Sequence, residues 1–157
     1  MTDKILGFTG KYLPFSNFFD NNTLQVVREG IGFSSVEAAF QAAKLDIENP
    51  KKRKMMLEVF SRLTPDEAKV LGRNVRICAD WEERKHDVMF NLVFQKFNNN
   101  RELKELLLST GDAYLEETNH WHDNHWGNCT CPKCVDTKGD NYLGLMLMKV
   151  RELLKNN

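Results

Sequence analysis

The sequence predicts an α+β fold that is mostly helical, with a small β-sheet formed mainly by the N-terminal segment. A chain of 157 residues has the usual length of one domain, so residues 1–157 are expected to form a single domain. Short β-type runs are concentrated in residues 5–33. From residue 34 onward, helix caps and helical periodicity dominate, and no internal repeat or linker interrupts them.

The N-terminal segment contains three short apolar runs separated by turn-forming residues. The predicted strands are Ile5–Phe8, Leu24–Arg28 and Gly30–Phe33. Between the first two lies Pro14–Phe19, in which three phenylalanines surround a Ser-Asn pair. This segment is equally consistent with an aromatic core loop containing an Asn turn and with a ligand contact. In the second case Ser and Asn supply hydrogen bonds while a phenylalanine stacks on a flat ring.

Residues 34–44 predict a helix, because four alanines favour helix formation and a serine precedes them as N-cap. Glu37, Gln41 and Lys44 fall on one stripe, and the other positions are mostly apolar. A helix with so little polar surface is usually buried, so a polar stripe on it indicates a cleft. Two simpler uses of Glu37 stay open: a capping box with Ser34, or an ordinary i,i+4 surface pair with Gln41.

Caps and apolar periodicity predict five further helices along the chain. They are Lys51–Leu63, Pro65–Gly72 with Thr64 as N-cap, Trp81–Phe97 opened by a capping box at Asp80–Glu83, Arg101–Ser109 and Tyr142–Lys155. A strand is expected over Ala113–Thr118, and Asn119–Lys138 is expected to be irregular.

Composition narrows the class of protein. Lysine plus arginine equals aspartate plus glutamate, which argues against general nucleic-acid binding through phosphate neutralisation. No apolar run approaches the roughly 18 residues of a membrane span, and the N-terminus lacks a signal-peptide pattern. Three of the four cysteines crowd into six residues, unlike a secreted disulfide framework. We therefore expect a reduced, cytoplasmic protein.

The stretch richest in metal ligands has three histidines followed by three cysteines: His120, His122, His125, Cys129, Cys131 and Cys134. Three thiolates and one imidazole complete a tetrahedral zinc site. The C-x-C-x2-C spacing indicates no single fourth ligand, so Cys78 and each histidine stay open, as does a metal-free loop. A zinc ion here is expected to be structural, because a closed site has no open position for catalysis.

No P-loop, dinucleotide-binding or serine-hydrolase motif is present. A series of other short motifs runs in order through nearly the whole chain: Phe15–Phe18, Ser35–Glu37, Phe40-Gln41, Lys44, Gly72-Arg73, Asp80–Glu82, Lys96-Phe97, Thr110-Gly111, Leu115, Glu117, Trp126-Gly127, Gly139, Asn141, Leu143-Gly144, Leu147-Met148 and Arg151. Together they resemble the NADAR, or YbiA-like, family. The chain departs from many relatives in a His-rich segment before Trp126-Gly127 and the cysteines after it, which leaves substrate choice open.

The resemblance implies a YbiA-like single domain with N-glycosidase activity. Family members act on glycosylamines, either a ribosylamino-pyrimidine phosphate of riboflavin synthesis or ADP-ribose carried on guanine. The expected partner is therefore a small-molecule nucleotide-sugar or ADP-ribosylated guanine, and no cofactor is required for catalysis. Two alternatives are a non-catalytic module that binds ADP-ribose or a nucleotide, and a zinc-stapled interaction domain. The oligomeric state is not predicted.

The resemblance also implies roles for individual residues. Lys44 is the expected nucleophile, Glu37 the proton shuttle and Gln41 the residue that orients the sugar. Glu117 is a second carboxylate, needed if the reaction passes through an oxocarbenium ion. Arg73 is the candidate phosphate ligand. The expected ligand-holding and pocket-shaping residues are Ser16, Asn17, Phe18, Trp81, Trp126, Gly127, Asn141 and Gly144.

Overall fold

The structure is a computed structural model that describes residues 3–156. About 49% of the chain is helical and 12% is in strands, which confirms the predicted α+β, mostly helical class. In chain order the elements are β1 (Lys4–Leu6), a 3₁₀ helix (Gly10–Phe15), β2 (Val26–Arg28), β3 (Ile31–Phe33), α1 (Val36–Ala43), α2 (Pro50–Ser61), α3 (Pro65–Gly72), α4 (Trp81–Asn98), α5 (Arg101–Ser109), β4 (Tyr114–Glu116), β5 (Thr118–Asn119), β6 (Asn128–Cys129) and α6 (Tyr142–Lys155).

The chain divides into two compact units. The central unit is Asn17–Asn100, and the terminal unit combines the segment ending at Ser16 with the segment from Arg101 onward. The prediction of one domain over residues 1–157 stays a prediction.

The strands within residues 3–156 form three two-stranded sheets rather than one N-terminal sheet. In the terminal unit, β1 pairs in parallel with β4, and β5 pairs in parallel with β6. In the central unit, β2 and β3 form an antiparallel hairpin. The N-terminal strand therefore finds its partner far along the chain, a pairing that local sequence patterns do not specify.

The central unit is built around α1, which packs against α2, α3 and α4. Every residue of α1 is buried, as its lack of polar surface predicts. Ser35 caps the helix, because its side chain accepts a hydrogen bond from the Ala38 amide. The carbonyl of Asn17 accepts a hydrogen bond of 3.1 Å from the backbone amide of Glu37, which also lies in the first turn of the helix. Both bonds fix the start of α1 within the packed helices.

The other helices follow the predicted bounds closely, with one difference at a cap. Thr64 and Glu67 form the expected capping box of α3. The capping box predicted at Asp80 is wrong, since the Asp80 side chain makes no cap hydrogen bond and pairs instead with Arg84 at 3.0 Å. The backbone of Asp80 (φ −94°, ψ 14°) is not in the extended region that an N-cap residue normally adopts.

In the terminal unit, α6 packs against α5 and β4. Leu143, Leu147, Val150 and Leu154 form a buried apolar stripe along this helix. Arg151 is also buried, and its Nη1 donates to the Ala113 carbonyl and the Thr110 hydroxyl, both at 2.9 Å. This side chain ties α6 to the segment that leads into β4.

Among residues 3–156, no helix is both long enough and apolar enough to cross a lipid bilayer.

Candidate active site

The polar stripe of α1 lies inside the central unit. Glu37 and Gln41 are only 7% and 9% exposed, and Gln41 Nε2 donates a 2.7 Å hydrogen bond to Glu37 Oε1. The predicted i,i+4 pair therefore forms, but it is buried rather than on the surface. The capping box with Ser34 is wrong: Ser35 is the N-cap, and the Ser34 hydroxyl donates to Asp20 at 3.0 Å. The Glu37 carboxylate is thus not used to cap its own helix through Ser34.

Lys44 is the C-cap residue of α1 and is half-buried. Burial lowers the pKa of its ammonium, the nearby Glu37 carboxylate raises that pKa, and the Arg73 guanidinium lowers it again. The net result is a pKa below the ordinary value for lysine. A larger fraction of the amine is then neutral near pH 7, which is the form that attacks carbonyl-type carbon.

Gly72, the last residue of α3, gives Gln41 and Lys44 their space. A Cβ atom at this position would lie 2.0 Å from Gln41 Oε1 and 3.2 Å from Lys44 Cε. The bare backbone of α3 therefore forms one wall of the polar stripe. Gln41 Oε1 is buried there with no hydrogen-bond partner among residues 3–156. The sequence did not predict that Gly72 lies against Gln41 and Lys44, although Gly72-Arg73 is one of the motifs that resemble the family.

Arg73 follows directly as the C-cap of α3 and is exposed. Its effect on the Lys44 pKa places the guanidinium within electrostatic reach of that amine. An exposed guanidinium near a candidate nucleophile is suited to a phosphate group, because its fork of N–H donors matches phosphate oxygens. The predicted phosphate contact itself stays a prediction.

Three other predicted residues of the central unit have defined surroundings. Asn17 is buried, and its Nδ2 lies 3.4 Å from Met89 Sδ while its carbonyl supports the start of α1. The Lys69 ammonium lies 5.3 Å from the centre of the Phe18 ring, a cation–π contact. The Trp81 ring packs 5.0 Å from the Phe40 ring, centre to centre, against α1. Their predicted contacts with a ligand stay predictions.

In the terminal unit, several predicted residues hold the backbone around Glu117. The side-chain Oδ1 of Asn141 accepts a hydrogen bond from the Glu117 N–H at 3.0 Å, and its Nδ2 donates to the Leu115 carbonyl at 2.9 Å. A Cβ at Gly144 would lie 2.2 Å from the Leu115 carbonyl oxygen, and one at Gly127 would lie 2.1 Å from that of Glu117. Asn141 and both glycines therefore position the strand segment that carries Glu117. Direct ligand contacts by these residues, and the catalytic role of Glu117, stay predictions.

Ser16 and Trp126 also belong to the terminal unit. The Ser16 amide closes the 3₁₀ helix by donating to the Leu13 carbonyl at 3.0 Å. The Trp126 ring meets the His125 ring edge to face at 4.7 Å, and its carbonyl accepts from the Leu143 amide near the start of α6. Their predicted ligand roles are untested by these contacts.

Within residues 3–156, the terminal unit contains a group of side chains that could hold a metal ion. The ligand atoms of His122, Cys129, Cys131 and Cys134 all lie within 4.8 Å of one another. The alternatives left open by the sequence have other contacts: His120 lies 3.3 Å from the Thr130 hydroxyl, and His125 packs on aromatic rings. In the central unit, Cys78 accepts a hydrogen bond from Arg84 at 2.9 Å. Among the residues considered, His122 is therefore the one placed beside the three cysteines.

The chain matches one protein family over most of its length and is similar to curated members of known function. The model of the NADAR domain matches residues 7–155. The chain is 35% identical over 147 residues to an N-glycosidase of Nostoc punctiforme, covering 92% of this chain and 87% of that protein. It is 31% identical over 157 residues to the N-glycosidase YbiA of Escherichia coli, covering 98% of this chain and 91% of that protein.

A longer relative is the chloroplastic riboflavin biosynthesis protein PYRR of Zea mays, 33% identical over 146 residues. The match covers 87% of this chain, which spans only 22% of the maize protein.

The NMR structure of the E. coli protein YbiA superimposes with a TM-score of 0.77 at 31% identity. The match covers 99% of this chain and 88% of the YbiA chain. The predicted resemblance is confirmed: the chain belongs to the NADAR domain family.

Proposed function

We propose that the chain is an N-glycosidase that cleaves the bond between a sugar C1 and an exocyclic amine nitrogen. The relatives of similar length are named N-glycosidases, which supports this class of enzyme. The observation that carries the proposal is the buried stripe of α1, where a hydrogen-bonded Glu37–Gln41 pair shares a helix face with a lysine of lowered pKa. A carboxyl group that donates and takes back a proton, and a neutral amine, are the two groups that this reaction needs.

The proposed substrate is a ribosylamino-pyrimidine phosphate. The name of the maize relative, a riboflavin biosynthesis protein, supports that choice. The exposed Arg73 guanidinium, within electrostatic reach of Lys44, suits the sugar phosphate. ADP-ribose on guanine has the same C1–N linkage and is the alternative substrate.

The proposed reaction begins with opening of the sugar ring. Glu37 supplies a proton to the ring oxygen as the C1–O bond breaks, which leaves a protonated imine between C1 and the base nitrogen. The neutral Lys44 Nζ attacks C1, and a proton then moves from Nζ to the base nitrogen. The C1–N bond to the base breaks, which releases the base as an amine and leaves a protonated imine between C1 and Lys44. Water hydrolyses this imine, which releases the sugar as an aldehyde, restores the neutral lysine and returns a proton to Glu37. One water is consumed overall, and no cofactor takes part.

Gln41 has a positioning role in this scheme. Its Nε2 holds Glu37, and its buried Oε1 is an acceptor with no hydrogen-bond partner among residues 3–156. The proposed function of this amide is to fix the carboxylate and orient the open-chain sugar.

A base-release assay on Glu37→Gln and Lys44→Ala tests the proposal. Each variant is expected to lose roughly 10²- to 10⁴-fold in kcat/KM, the usual range for losing one acid–base or nucleophilic group. Lys54→Ala is the matched control, because Lys54 is an exposed lysine on α2. Circular dichroism checks that all three variants fold.

Full activity in both site variants would show that the stripe is not the catalytic group. Calorimetry with ADP-ribose in parallel separates catalysis from binding: tight binding without base release by the unaltered chain would identify a binding module instead.

A further inference from the structure

We propose that His122 Nδ1 and the thiolates of Cys129, Cys131 and Cys134 bind one Zn²⁺ that stabilises the loop between β5 and Cys134. This inference is independent of the proposed reaction. It rests on the arrangement of four ligand atoms that come from a short, densely hydrogen-bonded segment of the terminal unit.

The distances fit a tetrahedral ion. With Zn–S bonds of about 2.3 Å and a Zn–N bond of about 2.05 Å, tetrahedral angles put each sulfur about 3.6 Å from the imidazole nitrogen. In the structure, His122 Nδ1 lies 3.3 Å from Cys131 Sγ, 3.4 Å from Cys134 Sγ and 4.0 Å from Cys129 Sγ. All three contacts use the same ring nitrogen, so one metal position satisfies the whole set.

The chemistry of the donor set selects the metal. Three sulfurs and one imidazole suit Zn²⁺, whereas Mg²⁺ and Ca²⁺ prefer oxygen ligands. All four cysteines of the chain are free thiols, and two of the clustered ones, Cys129 and Cys134, are only 2% and 9% exposed. Two buried thiols beside a third and an imidazole are well explained by a shared metal.

The backbone holds the ligands in place. His122 has a left-handed backbone (φ 71°), a conformation that non-glycine residues seldom adopt, and its N–H donates to Cys129 Sγ at 3.3 Å. An amide donor to a coordinating sulfur stabilises the thiolate form. The Cys134 amide donates to the Cys131 carbonyl at 2.9 Å, which closes the turn between these two ligands.

Side-chain amides order the rest of the loop. Asn119 is 1% exposed, and its Oδ1 accepts from the amides of Trp121 and Asp123 at 3.2 and 3.1 Å. Asn124 Oδ1 accepts from the Cys129 amide at 2.8 Å. With four protein ligands the site has no open position, so its role is structural. The loop includes Gly127, so the ion also stabilises the backbone beside Glu117.

Metal analysis of the full chain, purified with its thiols reduced and no chelator present, tests the proposal. The expected content is about one zinc per chain. Cys131→Ser and His122→Asn are expected to weaken zinc binding at least about tenfold. Cys78→Ser and His120→Asn are the matched controls and are expected to keep the zinc, since neither side chain belongs to the group.

Thiol titration gives a second measurement that does not depend on the variants folding. In the metal-bound chain three thiols should react slowly with Ellman's reagent, and a zinc chelator should release all three together. Cobalt reconstitution should give the visible absorption of a tetrahedral, thiolate-bound ion. A reduced chain that binds no zinc or cobalt on reconstitution would overturn the proposal, as would equal metal loss in Cys78→Ser and Cys131→Ser.

Discussion

Glu37 and Arg73 act on the Lys44 amine in opposite directions. The carboxylate favours the protonated ammonium, whereas the guanidinium and the burial of the side chain favour the neutral amine. If the neutral amine is the nucleophile, activity rises with pH as Lys44 loses its proton. The pH dependence therefore reports on this residue directly.

Arg73→Gln is expected to move the rising limb of the pH–activity profile to higher pH. The substitution removes a positive charge that lowers the Lys44 pKa, so that pKa rises and a higher pH is needed to form the neutral amine. Because Arg73 is exposed, the shift should be below about one pH unit and should shrink at high salt.

The same variant is expected to raise KM for a phosphorylated substrate more than for the unphosphorylated analogue. Arg73→Lys, which keeps the charge, is the control for the pH profile. An unchanged profile and equal KM values in Arg73→Gln would contradict both roles of this guanidinium.

For individual residues, the sequence predicted that Glu37, Gln41 and Lys44 form one polar stripe, because their spacing on a helix is a local property. It did not predict the wall formed by Gly72, because that contact joins two helices. It also left open which of four residues joins Cys129, Cys131 and Cys134. The position of His122 beside them depends on how the loop folds back on itself, which spacing alone does not determine.

The packing of α3 against α1 shapes the candidate site. Gly72→Ala is expected to push the Gln41 amide aside, since the added Cβ would lie 2.0 Å from its Oε1. Alanine has the higher helix propensity by up to about 1 kcal/mol, so stability should change little while kcat/KM falls roughly tenfold or more.

A double-mutant cycle checks this explanation. In Gln41→Ala the space beside residue 72 is free, so adding Gly72→Ala should cost little further activity. Kinetics and thermal unfolding of the four chains provide the data. Fully additive losses in kcat/KM would mean that Gly72 does not act through Gln41.

The N-terminus of α1 provides a stability prediction. Ser35→Ala is expected to lower the free energy of unfolding by about 1 kcal/mol, because its side chain caps the Ala38 amide. Ser34→Ala is the matched control and should cost less, since Ser34 lies outside the helix and bonds to Asp20. Urea unfolding measures the free energy of unfolding of both variants. A larger decrease in Ser34→Ala would mean that Ser35 is not the residue that caps the helix.

At the element scale, helices were predicted well and strand pairing was not. Periodicity, proline at the first turn and capping residues are written in neighbouring positions, as at Thr64–Glu67. The pairing of β1 with β4 joins residues about 110 positions apart, from Lys4 to Tyr114, so no local signal encodes it. The wrong capping box at Asp80 shows that residue types alone do not guarantee the backbone conformation of a cap.

At the scale of the whole molecule, family membership and fold rest on many short motifs spread along the chain. They indicated a NADAR domain, and the match over residues 7–155 confirms it. The formal net charge is zero, so the chain as a whole has no electrostatic attraction for nucleic acid, and substrate recognition by Arg73 stays a prediction. The cytoplasmic location and the choice between the two substrates stay predictions.

In the proposed reaction, Lys44 forms a covalent imine with the sugar. Borohydride trapping during turnover of a ribosylamino-pyrimidine phosphate, followed by peptide mass spectrometry, tests this step. We expect a reduced sugar adduct on the peptide that carries Lys44, and no adduct in Lys44→Ala. Rapid base release with no adduct, or an adduct on another lysine, would contradict it.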